Sequence, residues 1–245
     1  MLAAASVLAA CGNGSGDAGE AHRGARAGAL GSGATVDTLA STTLATRPPG
    51  ELSWVADEIR LPADGRVAHR HELAFVYARR GSQSLRIAHR EHAIAEGAGA
   101  AVSSFAPHAH TAGKDGVVLW EIRLARPGTP PARGMGAARR VFESTPLKGI
   151  PAPAKASFLA VEVAPRGGHT TVHTHPGPEL IYQLSGRIDY QNALIGTKRL
   201  GSGGLESIPP DTPVQKRNPF SRPAVFLSWF LVDPDRPFAP KASFG

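Results

Sequence analysis

The stretch over residues 167–186, which reads G-G-H-T-T-V-H-T-H-P-G-P-E-L-I-Y-Q-L-S-G, constrains the fold of this chain more than any other. His173 and His175 are two residues apart, so on a β-strand both side chains leave the same face. The Pro-Gly-Pro sequence that follows predicts a tight turn, because proline fixes φ and glycine tolerates almost any backbone conformation. Glu179 then begins an apolar run that is typical of a returning strand. Two imidazoles and one carboxylate form a ligand set for a divalent transition metal, with positions left open.

The spacing of this stretch resembles the first conserved motif of the cupin family at every position, from Gly167 through His173, His175 and Glu179 to Gly186. The resemblance implies a small antiparallel β-barrel. It also implies that the two histidines and the glutamate bind a metal ion inside that barrel.

The second cupin motif is incomplete in this chain. Gly203, Pro209 and Asn218 are in register with it, but Asp211 stands where a glycine belongs. Val214 stands where the resemblance places the last metal-binding histidine. The resemblance therefore implies a site with three protein ligands.

An internal repeat predicts a second barrel in the same chain. His69-Arg70-His71 matches His173-Thr174-His175, and Trp54 falls on Phe158 at the same offset. The arrangement resembles a bicupin, so the predicted fold class is all-β, with two tandem cupin (jelly-roll-like) β-barrels in one chain. The predicted segments are a signal at 1–10, a flexible Gly/Ala/Ser-rich tether at 11–50, a barrel at 51–127, a linker at 128–153 with a short amphipathic piece at 137–143, a second barrel at 154–237 and a tail at 238–245.

The first barrel has its own candidate metal ligands. The position of Glu179 is taken by Ala74, so Glu72 is a possible substitute carboxylate. His108 has the strand parity of His110 and could replace it or lie behind it. At the position of the second motif, His110 sits where Val214 sits in the second barrel, so the candidate ligands of this less complete site are His69, His71 and His110.

Three polar residues are candidates for binding a substrate in the second barrel. His169 and Gln183 share the inward parity of the metal ligands. They could form a ligand-binding wall above the metal or could merely line the solvent-exposed opening of the barrel. Gln215 is next to the missing ligand at Val214 but has the opposite parity, so a β-bulge would be needed to bring it inward.

The N-terminus resembles a bacterial lipoprotein signal. Residues 2–10 are apolar, too few to span a bilayer as a helix, and they lead to Cys11, the single cysteine. The resemblance implies cleavage before Cys11, a lipid on its thiol, and export to the periplasm or cell surface with the protein anchored to the bacterial membrane. No Lys or Arg precedes the apolar residues, so we expect the true start codon to lie upstream. The alternative is an ordinary Ala-rich N-terminus.

The net charge of +7 favours an anionic partner, or else reflects arginines spread over the surface. Basic residues occur as pairs such as Arg79-Arg80, with no basic stripe interleaved with aromatics. We therefore expect no binding to nucleic acid. The expected partners are a small-molecule ligand or substrate and the membrane, with a homodimer possible.

The cofactor predicted from the ligands is a divalent transition metal, and Fe, Mn, Ni, Zn and Cu are not distinguished by nitrogen and oxygen ligands alone. Cupins include both enzymes and binding proteins, so the fold does not settle the function. The first hypothesis is an enzyme of the dioxygenase or isomerase type, which acts on a small organic substrate through a metal ion at His173, His175 and Glu179. The alternative is a non-catalytic cupin lipoprotein that binds or senses a small ligand, and a third is metal storage or delivery.

Overall fold

The computed structural model describes residues 26–131 and 138–245, and these residues form strands and no helix. The predicted all-β fold is confirmed. The strands are β1 (Arg26–Gly31), β2 (Ala34–Leu44), β3 (Ser53–Leu61), β4 (Arg66–His69), β5 (Ala74–Ile87), β6 (Arg90–Ile94), β7 (Gly99–Val102), β8 (His108–Ala125), β9 (Arg139–Glu143), β10 (Ala154–Val163), β11 (Gly168–His169), β12 (Glu179–Ser185), β13 (Arg187–Asn192), β14 (Gly196–Gly201), β15 (Leu205–Ile208), β16 (Val214–Asn218) and β17 (Ala224–Val232). Within the described ranges, no helix is long and apolar enough to cross a membrane.

The first barrel is one seven-stranded sheet that curls on itself. Its central order is β6-β5-β8-β3-β9, with β4 paired to β8 and β7 paired to β5. The strands β5 and β8 are long enough to run through both halves of the barrel, and their pairing shifts register between Ala78 and Arg80 and again between Gly81 and Gln83. Such bulges bend a strand and increase its twist, which lets one sheet close into a barrel.

In the second barrel, the corresponding strands are divided between two sheets. A six-stranded sheet has the order β1-β2-β10-β17-β12-β15, and a four-stranded sheet has the order β11-β16-β13-β14. The pair β12 and β13 corresponds to β5, and the pair β16 and β17 corresponds to β8. The break falls at Gly186, which matches Gly81 of the first barrel. Both glycines have positive φ, and a Cβ at either would lie within 2.4 Å of a backbone oxygen on the neighbouring strand.

Part of the predicted tether belongs to the second barrel. The expectation of a flexible, coreless segment over 11–50 is wrong for β2, because β2 pairs with β10 along its length. Its side chains Val36, Leu39 and Leu44 are buried. The sparse aliphatic residues are sufficient here because β2 adds to an existing sheet and needs only one apolar face. The chain thus contributes a strand to the second barrel before it builds the first.

The predicted linker and tail are also integrated into the barrels. The amphipathic piece within 128–153 includes strand β9, which pairs with β3, and Arg140 of β9 donates to Asp57 Oδ1 over 2.8 Å. The tail from residue 238 packs against the second barrel, where Thr174 N donates to Pro240 O and Ala242 N donates to Val172 O. Both segments therefore contribute contacts that stabilise the barrels.

One apolar core joins the two barrels. Successive residues of a strand point to opposite faces, so β3, β5 and β8 present Trp54, Phe75 and Trp120 away from the interior of the first barrel. They meet Phe158 of β10 and Trp229 of β17. The rings of Phe158 and Trp229 stack with their centroids 5.2 Å apart and their planes 9° apart, and Phe158 also lies 5.6 Å from Phe75. This aromatic core holds the barrels as one body.

The inter-barrel core generates a stability prediction. Phe158→Ala is expected to lower the free energy of unfolding by about 3–5 kcal/mol, because the substitution removes a fully buried aromatic ring and leaves a cavity between the barrels. Denaturant unfolding followed by tryptophan fluorescence measures the change. The matched control is Phe105→Ala, at a side chain that is 64% exposed, which should change stability by no more than about 0.5 kcal/mol. Equal effects of the two variants would contradict a shared core.

Candidate metal centre

Four imidazoles of the first barrel surround one carboxylate oxygen. The Nε2 atoms lie 2.8–3.1 Å from Glu121 Oε1, and all five side chains are buried. The first two histidines lie at the end of β4 and in the turn after it, and the other two begin β8, which later supplies the glutamate. The histidines are His69, His71, His108 and His110.

In three of the rings, a hydrogen bond made by Nδ1 indicates which of the two nitrogens carries the proton of the neutral imidazole. His71 Nδ1 donates to Glu72 O over 2.7 Å, and His108 Nδ1 donates to Ala106 O over 2.9 Å. His110 Nδ1 lies 2.8 Å from the side-chain oxygen of Gln83 and donates to it. In its neutral form each of these rings carries its one proton on Nδ1, which leaves the Nε2 lone pair for a cation. Acceptor lone pairs and a carboxylate oxygen then point at one place.

This donor set fits a divalent cation. A carboxylate oxygen cannot satisfy four nitrogens by hydrogen bonding alone, and Glu121 Oε2 has no hydrogen-bond partner among the described residues. Ligands at right angles about 2.1 Å from an ion lie about 3.0 Å from one another, which is the spacing found between Glu121 Oε1 and each Nε2. In the part of the chain that the structure describes, one group of at least three such ligand atoms lies within 4.8 Å of one another, and it contains His69, His108, His110 and Glu121.

The pKa shifts favour the metal-binding forms of Glu121 and His110, whereas His71 is shifted toward its charged form. Burial by itself would raise the pKa of Glu121, but the charge of His71 and the hydrogen bonds from His108 and its neighbours outweigh burial and hold the pKa well below its usual value. Burial lowers the pKa of His110. Burial also opposes the charged form of His71, yet the charge of Glu121 raises the pKa of His71. An ionised glutamate and a neutral imidazole are the forms that bind metals.

A pocket of about 720 Å³ leads from the surface to this cluster. It is lined by His69, His71 and His108, whereas Glu121 is not part of its wall. The pocket thus ends at three of the four histidines, whose side chains are at most 1% exposed. Phe105, Pro107, Pro130 and Pro131 supply apolar wall.

A buried arginine lines the same pocket. Arg123 is 1% exposed, and its Nη2 donates to Asp57 Oδ2 over 2.7 Å and to Pro130 O over 2.9 Å. Its Nη1 lies 3.5 Å from Glu72 Oε2, a long contact, and its Nε has no partner among the described residues. Arg123 therefore has donor capacity left for an anion in the pocket.

The sequence predicted most of this cluster but assigned its carboxylate wrongly. The structure brings His69, His71 and His110 together as predicted, and His108 joins them directly. Glu72 contacts Arg123 and not the cluster, because its backbone carbonyl, not its side chain, faces His71. Glu121 was missed. Its signal was a charge that follows the apolar run 117–120 of β8, in phase with buried Val117 and Leu119.

In the second barrel the predicted ligands also converge, with a different companion. His175 Nε2 lies 3.7 Å from Glu179 Oε2. The ammonium of Lys216, a residue that is 2% exposed, lies 3.1 Å from both oxygens of Glu179, and Ser228 Oγ donates to Oε1 over 3.0 Å. Among the described residues, His173, His175 and Glu179 do not form a group of mutually close ligand atoms like that of the first barrel. Metal binding by this trio stays a prediction, and the lysine opposes it.

The charge of the lysine shapes the titration of its neighbours. Burial, and then the charge of Lys216, lower the pKa of His173 to about 4. Burial likewise lowers the pKa of His175, although the charge of Glu179 acts in the other direction. Burial would raise the pKa of Glu179, but Lys216 outweighs it and the pKa is lowered. Both imidazoles are thus neutral beside an ion pair.

Strand register corrects one equivalence drawn from the sequence. His69 pairs with His108, and His173 pairs with Val214. Val214 therefore corresponds to His108, not to His110 as the motif spacing indicated. The residue equivalent to His110 is Lys216, since Leu85 pairs with His110 and the matching Tyr190 pairs with Lys216. In the same way Val76 pairs with Glu121 and Ile181 pairs with Ser228, so serine replaces the first barrel's glutamate.

The remaining predicted site residues are bound to backbone. His169 Nδ1 donates to Gly167 O, and Gln215 Nε2 donates to Thr170 O over 2.9 Å. Gln183 Nε2 donates to Ser185 O and Val225 O, and its Oε1 has no partner in the described parts of the chain. Their role in lining a substrate site stays a prediction. Cys11 lies outside the described residues.

Comparisons of the sequence with known families and proteins give no match. No family model matches the sequence. No curated protein matches it either.

Solved structures of oxalate decarboxylases match across both barrels. A point variant of the Bacillus subtilis enzyme is 16% identical with a TM-score of 0.57, covering 94% of this chain and 80% of that one. The formate complex of the Lactobacillus farciminis enzyme is 13% identical with a TM-score of 0.58, covering 94% of this chain and 89% of that one. Another B. subtilis structure, whose study concerns its Mn(II) centres, is 16% identical with a TM-score of 0.54, covering the same shares as the first. The predicted architecture is therefore confirmed: this chain has the double-barrel cupin fold of these proteins.

Proposed function

We propose that this protein is a metal-dependent enzyme that acts on a small carboxylic acid in its first barrel. The observation that carries the proposal is the cluster around Glu121, whose pocket also contains the buried guanidinium of Arg123. A cation site and an anion-binding donor at one pocket suit a substrate with a carboxylate group. The oxalate decarboxylases that share the fold support decarboxylation as the reaction class. The dioxygenase and isomerase hypotheses placed the chemistry in the second barrel, whose carboxylate is already paired.

The cluster supplies the metal-binding part of the proposed site. His69, His108, His110 and Glu121 would hold the ion, with His71 as a further nitrogen beside them. The Mn(II) centres of a B. subtilis neighbour favour manganese among the divalent ions considered. When bound, the ion supplies Lewis acidity that withdraws electron density from a carboxylate. The protein's own part is to keep Glu121 ionised and His110 neutral, as the lowered pKa values of both groups favour.

Arg123 would orient the substrate. Its Nη2 is fixed by Asp57 and Pro130, so the guanidinium plane is held in place before any substrate arrives. A substrate carboxylate could accept from Nε and from Nη1, displacing the long contact with Glu72. Two parallel N–H···O bonds from a fixed fork set both position and angle.

Glu72 would manage the proton. It is the one carboxylate that lines the pocket in the described part of the chain, and its side chain is 32% exposed, so it exchanges protons with water. In decarboxylation the bond between the carboxyl carbon and its neighbour breaks and carbon dioxide leaves. The electron pair stays on the neighbouring carbon, which takes one proton. A protonated Glu72 can donate that proton and recover it from solvent, so no oxidant or reductant is consumed overall.

A metal-content measurement tests the cation site. Protein dialysed against Mn²⁺ is expected to retain one ion per chain, and Glu121→Gln is expected to lower affinity at least 10-fold, because the site loses its one anionic ligand. His110→Ala should act in the same direction. Elemental analysis measures both, and His169→Ala, at a partly exposed ring outside the cluster, is the control. Retention of the ion by both cluster variants would contradict the site.

A binding and turnover measurement tests the anion site. Arg123→Lys is expected to weaken oxalate binding by about 10- to 100-fold, because lysine keeps the charge but loses the fork. Lysine also keeps Asp57 paired, which limits the effect on folding. Calorimetry measures binding and released formate measures turnover, with the exposed Arg60→Lys as the control.

The outcome also separates the two functional hypotheses. Formate release by metal-loaded wild-type protein supports the enzyme. Tight oxalate binding without turnover favours the non-catalytic ligand-binding alternative. A pocket that binds no small carboxylate would overturn the proposed substrate class.

Export and lipid attachment at Cys11 remain proposals that rest on the sequence resemblance. A lipid at this position would anchor the chain to the bacterial membrane through residues that precede β1. Labelled fatty acid is expected to be incorporated into wild-type protein in a bacterial host and to be lost in Cys11→Ser. Label retained in that variant, or absent from the wild type, would contradict the anchor. A homodimer likewise stays a possibility, to be measured by light scattering.

A further inference from the structure

We propose that Lys216 is a built-in cation that takes the place of a metal ion in the second barrel, so that this barrel binds no divalent ion. This goes beyond the proposed function, which concerns the first barrel. It reverses the expectation from the sequence that the second barrel, with its complete first motif, is the better metal site. The cation needed by the buried carboxylate is supplied by the chain itself.

The first argument is position. Lys216 corresponds in strand register to His110, a member of the first barrel's cluster. A ligand that would donate a lone pair has thus been replaced by a group that carries positive charge. The neighbouring histidine position is also lost, since Val214 corresponds to His108.

The second argument is the direction in which lone pairs point. His173 Nδ1 donates to Thr171 O over 2.7 Å, and His175 Nδ1 donates to Phe238 O over 2.7 Å. Their Nε2 atoms are therefore acceptors, and that of His175 lies 3.7 Å from Glu179 Oε2. Here the ammonium of Lys216 lies 3.1 Å from both carboxylate oxygens. A dication in the same place would be repelled by the lysine and would find the carboxylate already paired.

The third argument is closure. The C-terminal tail covers this end of the second barrel, with Phe238 packed 4.8 Å from the ring of His175 and 5.0 Å from Phe230. The backbone of Lys241 forms an isolated antiparallel β-bridge with that of His173. Lys216 itself also lies 5.7 Å from the ring of Phe226, a further favourable contact for a buried cation. The C-terminal tail thus packs against both histidines of this site.

Removing the lysine tests the proposal in the full chain. The variants are Lys216→His, which supplies an imidazole at the position of His110, and Lys216→Met, which removes the charge at similar volume. Both are made in a background of His69→Ala and His110→Ala, so that the first barrel contributes no ion. In that background, protein with the native lysine is expected to retain no Mn²⁺ or Zn²⁺. Lys216→His is expected to retain one ion per chain.

Thermal unfolding gives a second readout that does not depend on activity. Lys216→Met is expected to lower the melting temperature, because Glu179 is left buried without its cation, and added Zn²⁺ is expected to restore part of the loss. Adding Glu179→Gln to Lys216→Met should remove the response to Zn²⁺. Lys198→Met is the matched control, since Lys198 pairs with Glu206 at the surface, and it should change neither metal content nor melting temperature.

The results distinguish this inference from the proposed function. An ion retained by the background chain and lost on adding His173→Ala would overturn the built-in cation, whatever the first barrel does. The built-in cation would also be overturned if Lys216→His retained no ion and the melting temperature of Lys216→Met did not respond to Zn²⁺. Conversely, if the first barrel bound no metal in the wild type, a gain of one ion in Lys216→His would still support it.

Discussion

A buried carboxylate surrounded by imidazole lone pairs requires a positive charge, and both barrels of this chain are built around that requirement. Glu121 meets four Nε2 atoms within 3.1 Å, and Glu179 lies 3.1 Å from the ammonium of Lys216 and 3.7 Å from His175 Nε2. Removing one ionised carboxylate from water without a partner costs several kcal/mol, comparable to the whole stability of a domain. The nature of the compensating cation therefore decides what each barrel can do.

The two barrels place one carboxylate at a similar position from different strands. In the first barrel the acid comes from β8 and Ala74 occupies the motif position, whereas in the second the acid is Glu179 of β12 and Ser228 occupies the other position. The exchange keeps one acid in each interior. What differs is access, since one interior opens to a pocket with Arg123 and the other is covered by Phe238. A cation that must meet substrate needs the open barrel, while a cation that only balances charge is best supplied by the chain.

The sequence predicted the fold through glycine and histidine spacing, because these residues reflect local backbone geometry. His69 and His71 were recognised from their likeness to His173 and His175. Glu121 was not, since glycines and a bulge separate it from His110 and strand parity does not carry across a bulge. Lys216 was missed for a related reason: its equivalence to His110 depends on cross-strand register. The place of β2 was hidden because a strand that completes another sheet needs few apolar residues of its own.

The strand β2 ties the order of synthesis to the order of assembly. It leaves the ribosome ahead of the entire first barrel, yet its partner β10 belongs to the second. Until β10 follows, β2 presents an unpaired edge, and the second barrel cannot close without it. The two barrels are therefore interlocked by connectivity as well as by their aromatic core. A cut at their junction would leave β2 attached to the wrong half, so neither barrel is a module that can be transferred to another protein alone.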